Sequence, residues 1–293
     1  MRDGFLAPPD AYRPGVYWYF MDGNIDRRGI TADLESMRET GIGSVLFLEV
    51  SVGVPRGKTD MMSDAWQDLF VHAVREAERL GIRLIMGSGP GWAGSGGPWV
   101  EPERSMSHLV ASAVEVGGPA NFRRKLPVPA PKKPFFGEGS VPPDLKRIRD
   151  AWYEDVAVIA FPTPPLKREI EDFEEKALYY RAPFTSQAGV KPFLRAPADF
   201  TETAGAAIET ERIVDLTDRL GPDGRLVWRV PAGRWTILRF GRRNNGAVTR
   251  PAPVPGLGFE CDKFDAAAFD AHFEDYPGKL LQKTGLARQA KLE

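Results

Sequence analysis

Cysteine and histidine are scarce in this sequence of 293 residues, and their scarcity excludes two kinds of site. The single cysteine, Cys261, has no partner for a disulfide within the chain and rules out a CxxC metal motif. The three histidines, His72, His108 and His272, lie far apart and form neither an HExxH nor an HxH pattern. A zinc enzyme is therefore not expected, and the sequence assigns no metal site.

An excess of charge and long apolar runs are lacking as well. Lys and Arg total 39 against 40 Asp and Glu, so the chain builds no basic field for nucleic acid or for an anionic membrane. No apolar run approaches the roughly 18 residues that a membrane span needs. The first ten residues contain no apolar segment of the kind found in signal peptides. Neither nucleic acid nor a membrane is expected as a partner.

Glycine, proline and aromatic residues are plentiful. The chain has 30 Gly and 26 Pro, and 11% of its residues are Phe, Trp or Tyr. Many loops and many flat apolar surfaces suit an enzyme that handles ring-shaped substrates, although β-rich folds show the same bias. The length indicates one large domain or two.

Residues 1–105 have the pattern of repeated strand–helix units. A continuous apolar run at 16–21 predicts a strand that is buried on both faces, 44–50 predicts a second buried strand, and 82–86 predicts a third strand. Because helix, glycine and strand recur forty residues apart, at Gly41 and at Gly81, the strands are expected to be parallel and joined by right-handed crossovers. A (β/α)-barrel and an open doubly wound sheet both fit, and the long polar loops after the strands favour the barrel.

Two helices are predicted between these strands. Thr31 is expected to cap the first, and Ser63 caps the second, because serine and threonine hydroxyls accept the free N–H groups of a first turn. Gly41 and Gly81 stand where the helices are expected to end.

The pattern changes near residue 105. From 106 to 250, period-2 stretches separated by prolines predict an antiparallel β module, with a hairpin turn at 231–234. A helical pattern returns from Asp265, with Phe269, Phe273 and later Leu280 and Leu281 expected on an apolar face.

The predicted fold class is α/β: the first strand–helix units of an incomplete (β/α)-barrel at 1–105, an inserted antiparallel β module at 106–250, and a return segment to the barrel at 251–293. A complete barrel needs about 250 residues, so the barrel is not expected to close within the two barrel segments.

Polar side chains follow each predicted strand. In a (β/α)-barrel, functional residues cluster where strands run into the following loops, and here these positions hold Asp22, Glu49 and Ser88. Glu49 stands between Leu48 and Val50, where an ionised carboxylate is costly without a partner. A structural ion pair or a loop cap explains Glu49 as well as a site does, and a plain turn residue is the simpler interpretation of Asp22.

A glycine-rich loop follows the third strand. Gly89 to Gly94 matches GxGxxG, but nucleotide binding needs a helix to open at the third glycine, and residues 95–98, Ser-Gly-Gly-Pro, forbid that helix. We expect instead a mobile loop that presents Trp92 and Trp99 for stacking on a sugar ring. A merely structural loop is the alternative.

A third cluster lies where the α/β pattern resumes. Glu260, Asp262 and Lys263 are candidates for binding substrate hydroxyls, and the two carboxylates for a hard cation. The start of a helix at Asp265 explains that residue but not Glu260. Cys261 is expected to be a small buried residue rather than a nucleophile.

Four segments together resemble glycoside hydrolase family 106, a family of large, mostly bacterial α-L-rhamnosidase-type enzymes: Tyr12–Asn24, Phe47–Val50, Gly87–Trp92 and Gly258–Lys263. The likeness runs from residue 8 to 285. It implies a (β/α)-barrel hydrolase with β insertions that cleaves terminal α-L-rhamnose by inversion and depends on calcium. It also implies a rhamnose-containing oligosaccharide or glycoside as substrate, and a periplasmic or secreted location.

The sequence also departs from that family. Its members are several times longer, and their general acid follows an Asp-Ser-Trp-Glu-like string that is absent here. No catalytic residue is therefore carried over. The leading hypothesis is the N-terminal part of a rhamnosidase that is inactive as a fragment and needs the remaining barrel half. The alternatives are a non-catalytic carbohydrate-binding module and a different barrel glycosidase with Glu49 and Glu260 as its acid–base pair.

Overall fold

A computed structural model of the chain describes residues 2–6, 9, 12–134, 138–166 and 207–285. The chain divides into two compact units, of which the first comprises Met1–Met106 with Ala247–Glu293 and the second Ser107–Gly246. Parts of the predicted β module (167–206) and of the predicted return segment (286–293) lie outside the described residues. In the part of the chain that is described, no helix is both long and apolar enough to cross a membrane.

The described helices are α1 (Arg2–Leu6), α2 (Arg27–Glu39), α3 (Asp64–Leu80), α4 (Pro143–Ala151), α5 (Ala266–Phe273) and α6 (Lys279–Thr284). The described strands are β1 (Gly15–Met21), β2 (Ser44–Val50), β3 (Arg83–Met86), β4 (Ser107–Lys125), β5 (Glu154–Pro162), β6 (Val214–Asp215) and β7 (Arg225–Asn244). The protein is thus mixed α/β, with a parallel sheet in the first unit and an antiparallel sheet in the second. Both sheet types were predicted, and both are confirmed.

The first unit is built on the parallel sheet β1-β2-β3. Gly15 faces Ser44, and Ser44 faces Arg83, so the three strands begin level with one another. Helices α2 and α3 connect them in the order that the repeated pattern predicted. Level, parallel strands also end at a common edge, which is where the polar residues that follow them are found.

One face of this sheet packs against the helices and the other is open. Trp18 and Phe20 of β1 belong to the core, whereas Tyr17 and Tyr19 point the other way and are 67% and 38% exposed. Burial on both faces was therefore the wrong prediction for β1. The core on the covered face consists mainly of large apolar side chains: Trp18, Phe20, Val45, Phe47, Trp66, Phe70 and Leu84.

The helix caps show where local sequence is decisive. Helix α3 begins after Ser63 and ends at Gly81, which has a φ of +66° as the prediction requires. Thr31, however, does not start α2, because Asp26 caps that helix by accepting a backbone N–H bond of the first turn. Thr31 lies in the second turn, and its hydroxyl hydrogen-bonds to His72 over 3.0 Å.

The antiparallel sheet of the second unit has the order β4-β7-β5-β6. The predicted hairpin turn at 231–234 is wrong, because β7 continues through it and pairs with β4 on both sides. Gly118 faces Gly233, while Ala120 faces Val230, so an irregularity takes up the proline and alanine between those positions. A bulge of this kind lets a strand accommodate a residue without an N–H and keep its ladder.

Helix α5 begins at the predicted place but buries another face. The Asp265 side chain accepts the Ala267 N–H bond as an N-cap, which confirms the predicted start. Phe269 and Phe273 are about half exposed, so the prediction is wrong for these two residues, whereas Leu280 is buried as predicted. The buried residues of α5 and of the segment after it recur at every fourth position: Ala268, His272, Tyr276 and Leu280.

Candidate active site

The carboxyl edge of the parallel sheet collects three of the predicted site residues. The Asp22 N–H donates to the Val50 carbonyl over 2.8 Å, and the Gly87 N–H donates to the Phe47 carbonyl over 3.3 Å. These bonds continue the strand ladders into the loops. Asp22, Glu49 and Ser88 consequently lie at the same edge.

Glu49 is turned towards the helices. Strand alternation puts its side chain on the face of Phe47, and only 3% of the residue is exposed. One carboxylate oxygen accepts the Gly23 N–H bond over 3.0 Å, and the other accepts the indole N–H bond of Trp66. Both oxygens are thus occupied by donors within the fold, which is the arrangement of a loop cap.

Burial raises the pKa of Glu49 to about 7. The hydrogen bonds from Trp66 and Gly23 act in the opposite direction, whereas the neighbouring carboxylates of Asp22 and Asp60 raise the pKa further. Removal from water thus outweighs the two donors, because a charge is costly where solvent cannot reach it.

Asp22 lies beside Glu49 in a strained turn. Its backbone is left-handed, with a φ of +50°, which a residue other than glycine rarely adopts. The Ser51 hydroxyl donates to Oδ2 over 3.3 Å, while Oδ1 is buried and accepts no bond from the described residues. The turn interpretation therefore explains the backbone of Asp22 but leaves one carboxylate oxygen unexplained.

The glycine-rich loop contains no helix between residues 87 and 101, all of which are described, so the helix that a nucleotide site needs at the third glycine is not formed there. Backbone bonds tie this loop down: the Gly91 N–H donates to the Glu49 carbonyl over 3.0 Å, and the Trp92 N–H to the Arg250 carbonyl over 3.2 Å. Gly91 has a φ of +68°, and a Cβ there would lie 2.8 Å from the backbone of Arg250. These anchors attach the loop to β2 and to Arg250, and the mobility of the loop stays a prediction.

Trp92 stands at the rim of a cavity on the open face of the sheet. The cavity has a volume of about 460 Å³, and Tyr17, Tyr19, Ser88 and Trp92 contribute to its lining. The two tyrosine rings stack with centroids 5.6 Å apart and planes 18° apart. Trp92 itself is 64% exposed. Three aromatic rings and the Ser88 hydroxyl thus border a single open cavity.

Trp99 does not share that surface. Its ring stacks on Tyr276 with centroids 5.7 Å apart, and its Nε1–H donates to His272 over 3.1 Å. The ring also packs against the core of the first unit. The predicted stacking role of Trp99 is therefore corrected to a packing role, because the face expected for a sugar lies against Tyr276.

The third predicted cluster is held by its own members. Lys263 forms an ion pair with Glu260, and Asp262 accepts the backbone N–H bond of Phe264 over 3.0 Å. Cys261 is fully buried, as expected for a small filling residue. Burial lowers the pKa of Arg250, and the nearby charge of Glu260 partly offsets this effect.

Calcium has no ready site among these side chains. In the described ranges, no three Asp, Glu, His or Cys residues converge as ligands for a metal ion. The carboxylates of Glu49, Glu260 and Asp262 are engaged as described above, whereas Oδ1 of Asp22 accepts no bond from the described residues, and no chemical step is assigned to calcium here. Calcium dependence stays a prediction from the resemblance.

The family description α-L-rhamnosidase, that of glycoside hydrolase family 106, matches residues 6–292. The chain belongs to glycoside hydrolase family 106. The match includes all four segments that carry the resemblance, so the family predicted from those residues is confirmed.

Two known proteins are similar to this family 106 chain. A curated protein of Formosa agariphila named putative β-glucuronidase is 34% identical over 285 residues, which are 97% of this chain and 22% of that protein. The solved rhamnosidase of Novosphingobium sp. PP1Y matches 97% of this chain and 38% of its own, with a TM-score of 0.72 and 23% identity. The second likeness shows a shared fold. The chain spans much less than half the length of either protein.

The predicted site residues of the family 106 chain thus fall into separate groups. Asp22 and Glu49 meet on the helix side, whereas Ser88 and Trp92 border the open cavity. Tyr17 and Tyr19 were not among the predicted site residues. The sequence did contain a signal for these two residues. Along β1, Tyr17 and Tyr19 alternate with Trp18 and Phe20, so the tyrosines mark one face of the strand as the face that carries polar hydroxyl groups.

Proposed function

We propose that the chain supplies the first strand–helix units of the barrel of a family 106 glycoside hydrolase, and that the cavity beside Trp92 binds part of the sugar. The observation that carries the proposal is the position of that cavity, at the carboxyl edge and on the open face of a parallel sheet. Barrel enzymes build their sites at this edge. Aromatic faces pack against the apolar side of a sugar ring, and a hydroxyl such as that of Ser88 binds its polar rim.

The open sheet supports the incomplete barrel. Among the described strands, β1 and β3 each pair along one side only. In a closed barrel, alternate side chains point inward and fill the centre in layers, and Tyr17 and Leu46 occupy positions of that kind. The partner that this proposal requires is the remaining half of the barrel, which covers the open face and completes the site.

Terminal α-L-rhamnosides are the proposed substrates, cleaved by inversion. Family membership supports this choice, and the apolar side chains of Leu46, Leu48 and Met86 in the lining suit the methyl group of a 6-deoxy sugar. Inversion needs two carboxyl groups about 6.5–9.5 Å apart on opposite sides of the bond. The described residues that line the cavity include no carboxylate. We therefore propose that the chain alone binds without hydrolysing.

Sugar binding by the purified chain tests this function. Methyl α-L-rhamnopyranoside is titrated into the wild type and into Trp92→Ala, with Phe264→Ala as the matched control, because Phe264 is 97% exposed and lies outside the lining of the cavity. Binding that Trp92→Ala weakens at least about tenfold, the effect of 1.4 kcal/mol, and that Phe264→Ala leaves unchanged supports the proposal. Equal binding by all three proteins contradicts it.

A further inference from the structure

One buried imidazole contacts both ends of the glycine-rich loop. His272 is 2% exposed, and its Nε2 lies 2.8 Å from the carbonyl oxygen of Ser88, near the start of the loop. Its Nδ1 accepts the backbone N–H bond of Gly96 over 3.2 Å and the indole N–H bond of Trp99 over 3.1 Å, near the end. A single side chain of α5 thus connects segments that flank Trp92.

These contacts define the protonation state and the tautomer of the His272 imidazole. A carbonyl oxygen only accepts, so Nε2 carries the hydrogen and donates to Ser88. Two N–H donors point at Nδ1, so that nitrogen presents its lone pair. The imidazole is therefore neutral, with the hydrogen on Nε2, because an imidazolium would place a third N–H against the other two.

The surroundings of the ring favour this neutral form. Burial lowers the pKa of His272, while the bond to Ser88 and the charge of Asp275 raise it and that of Lys263 lowers it. The Tyr276 ring lies against the imidazole, with centroids 6.3 Å apart. The charges of Asp275 and Lys263 thus have opposite effects on the pKa of His272, and the loss of solvent around the ring has the largest effect.

We propose that His272 is a positioning residue, which holds the loop from Ser88 to Trp99 in the arrangement that presents Trp92 to the cavity. The Ser88 hydroxyl, which donates to the Gly94 carbonyl over 2.9 Å, adds a bond across the same loop. Ordering a loop before the ligand arrives removes an entropy cost from binding. The sugar-binding consequence rests on the proposed function, whereas the order of the loop does not.

Three substitutions separate the contacts of the ring. His272→Phe keeps an aromatic ring without hydrogen bonds, His272→Asn supplies an amide oxygen near the position of Nδ1, and His272→Gln supplies an amide N–H near Nε2. His72→Phe is the matched control, since His72 lies on α3 and bonds to Thr31 rather than to the loop.

Hydrogen exchange of the loop is the first measurement. In His272→Phe, we expect the backbone amides of residues 88–99, apart from Pro90 and Pro98, to exchange at least about tenfold faster, as the loss of a hydrogen bond implies, with α3 amides unchanged. His272→Asn is expected to restore much of the protection at Gly96, and His72→Phe to leave the loop as it is. Unchanged loop exchange in His272→Phe overturns the proposal, and so does exchange that rises equally in α3.

The tautomer of the wild-type ring needs no variant and is the second measurement. Proton–nitrogen correlation spectra at neutral pH should show the hydrogen of His272 on Nε2, and a hydrogen on Nδ1 overturns the proposal. Methyl α-L-rhamnopyranoside is then titrated into His272→Phe and the wild type. Weaker binding by the variant supports the positioning role, and equal binding contradicts it. Failure of the wild type to bind counts against the proposed function and leaves the exchange result standing.

Discussion

The indole N–H of Trp66 donates a hydrogen bond to the carboxylate of Glu49, and both residues are buried. This bond ties the end of β2 to α3, while the other carboxylate oxygen receives the Gly23 N–H of the turn after β1. Glu49 thus links two strands and a helix. A carboxylate in this position contributes to stability in a way that depends on pH.

The first prediction concerns that dependence. The pKa of Glu49 is about 7 in the folded chain and 4.5 for an ordinary glutamate, so the folded state holds the proton more tightly. Its contribution to stability is complete below pH 4.5 and is lost as the pH rises through 7. At roughly 1.4 kcal/mol per pKa unit, the free energy of unfolding falls by about 3 kcal/mol over this range.

Denaturant unfolding between pH 4.5 and 8 measures this fall. Glu49→Gln is expected to be less stable, because the NH2 group of the glutamine would face an N–H donor where a carboxylate oxygen now accepts a bond. The variant is also expected to lack the part of the pH dependence of stability that Glu49 contributes. Glu78→Gln, at an exposed position of α3, serves as the control and keeps the slope of the wild type. The prediction is wrong if Glu49→Gln and the wild type show the same slope.

His108 is predicted to act in the opposite sense. Burial and the neighbouring cations Lys132, Arg149 and Arg243 lower its pKa to about 4 from 6.5. The unfolded chain therefore takes up a proton before the folded chain does, and stability is lost as the pH falls from 6.5 towards 4.

His108→Gln should reduce this acid sensitivity, as followed by urea unfolding at pH 4 and 7. His72→Gln is the comparison variant, because it also removes one histidine but leaves the environment of His108 intact. Loss of stability of equal size in His108→Gln and in the wild type would refute the prediction.

Trp92 and Trp99 of the glycine-rich loop are predicted to contribute differently to the free energy of unfolding. Trp99→Ala removes a partly buried ring that stacks on Tyr276 and a donor to His272, a loss of about 3 kcal/mol, the lower end of the range for a core tryptophan. Trp92→Ala removes a mostly exposed ring and should cost less than about 1 kcal/mol.

Thermal unfolding of both variants compares them directly. At about 2–4 °C per kcal/mol, the melting temperature of Trp99→Ala should fall by at least about 6 °C, and that of Trp92→Ala by less than about 4 °C. Comparable falls in the two variants would contradict the different environments of the two rings.

Local signals account for what the sequence predicted well. Ser63, Gly81 and Asp265 act through hydrogen bonds or backbone angles within one turn, so their neighbours in sequence are enough to assign them. Thr31 misled because Asp26 offers the same cap one turn earlier. Pro231 and Gly233 indicated a turn. That prediction failed because Gly233 pairs with Gly118 of β4, and no residue near 231–234 in the sequence indicates this pairing.

The site was harder to predict because its contacts are distant in sequence. Trp99 and His272 are 173 positions apart, and no pattern near either residue indicates the other. Strand alternation predicts that the side chains of Glu49 and Phe47 point to the same side of the sheet. Which side the helices cover, however, depends on how the whole unit packs. The family resemblance assigned a function without depending on these contacts.

Hydrolysis of an aryl α-L-rhamnoside by purified residues 1–293, with and without added calcium, tests the central claim most directly. We predict no turnover above the uncatalysed rate, since the described lining of the cavity holds no carboxylate and both oxygens of Glu49 are occupied within the fold. Turnover of about 1–10³ s⁻¹ that Glu49→Gln or Glu260→Gln abolishes, and that Glu78→Gln leaves intact, would contradict the account and assign catalysis to that pair.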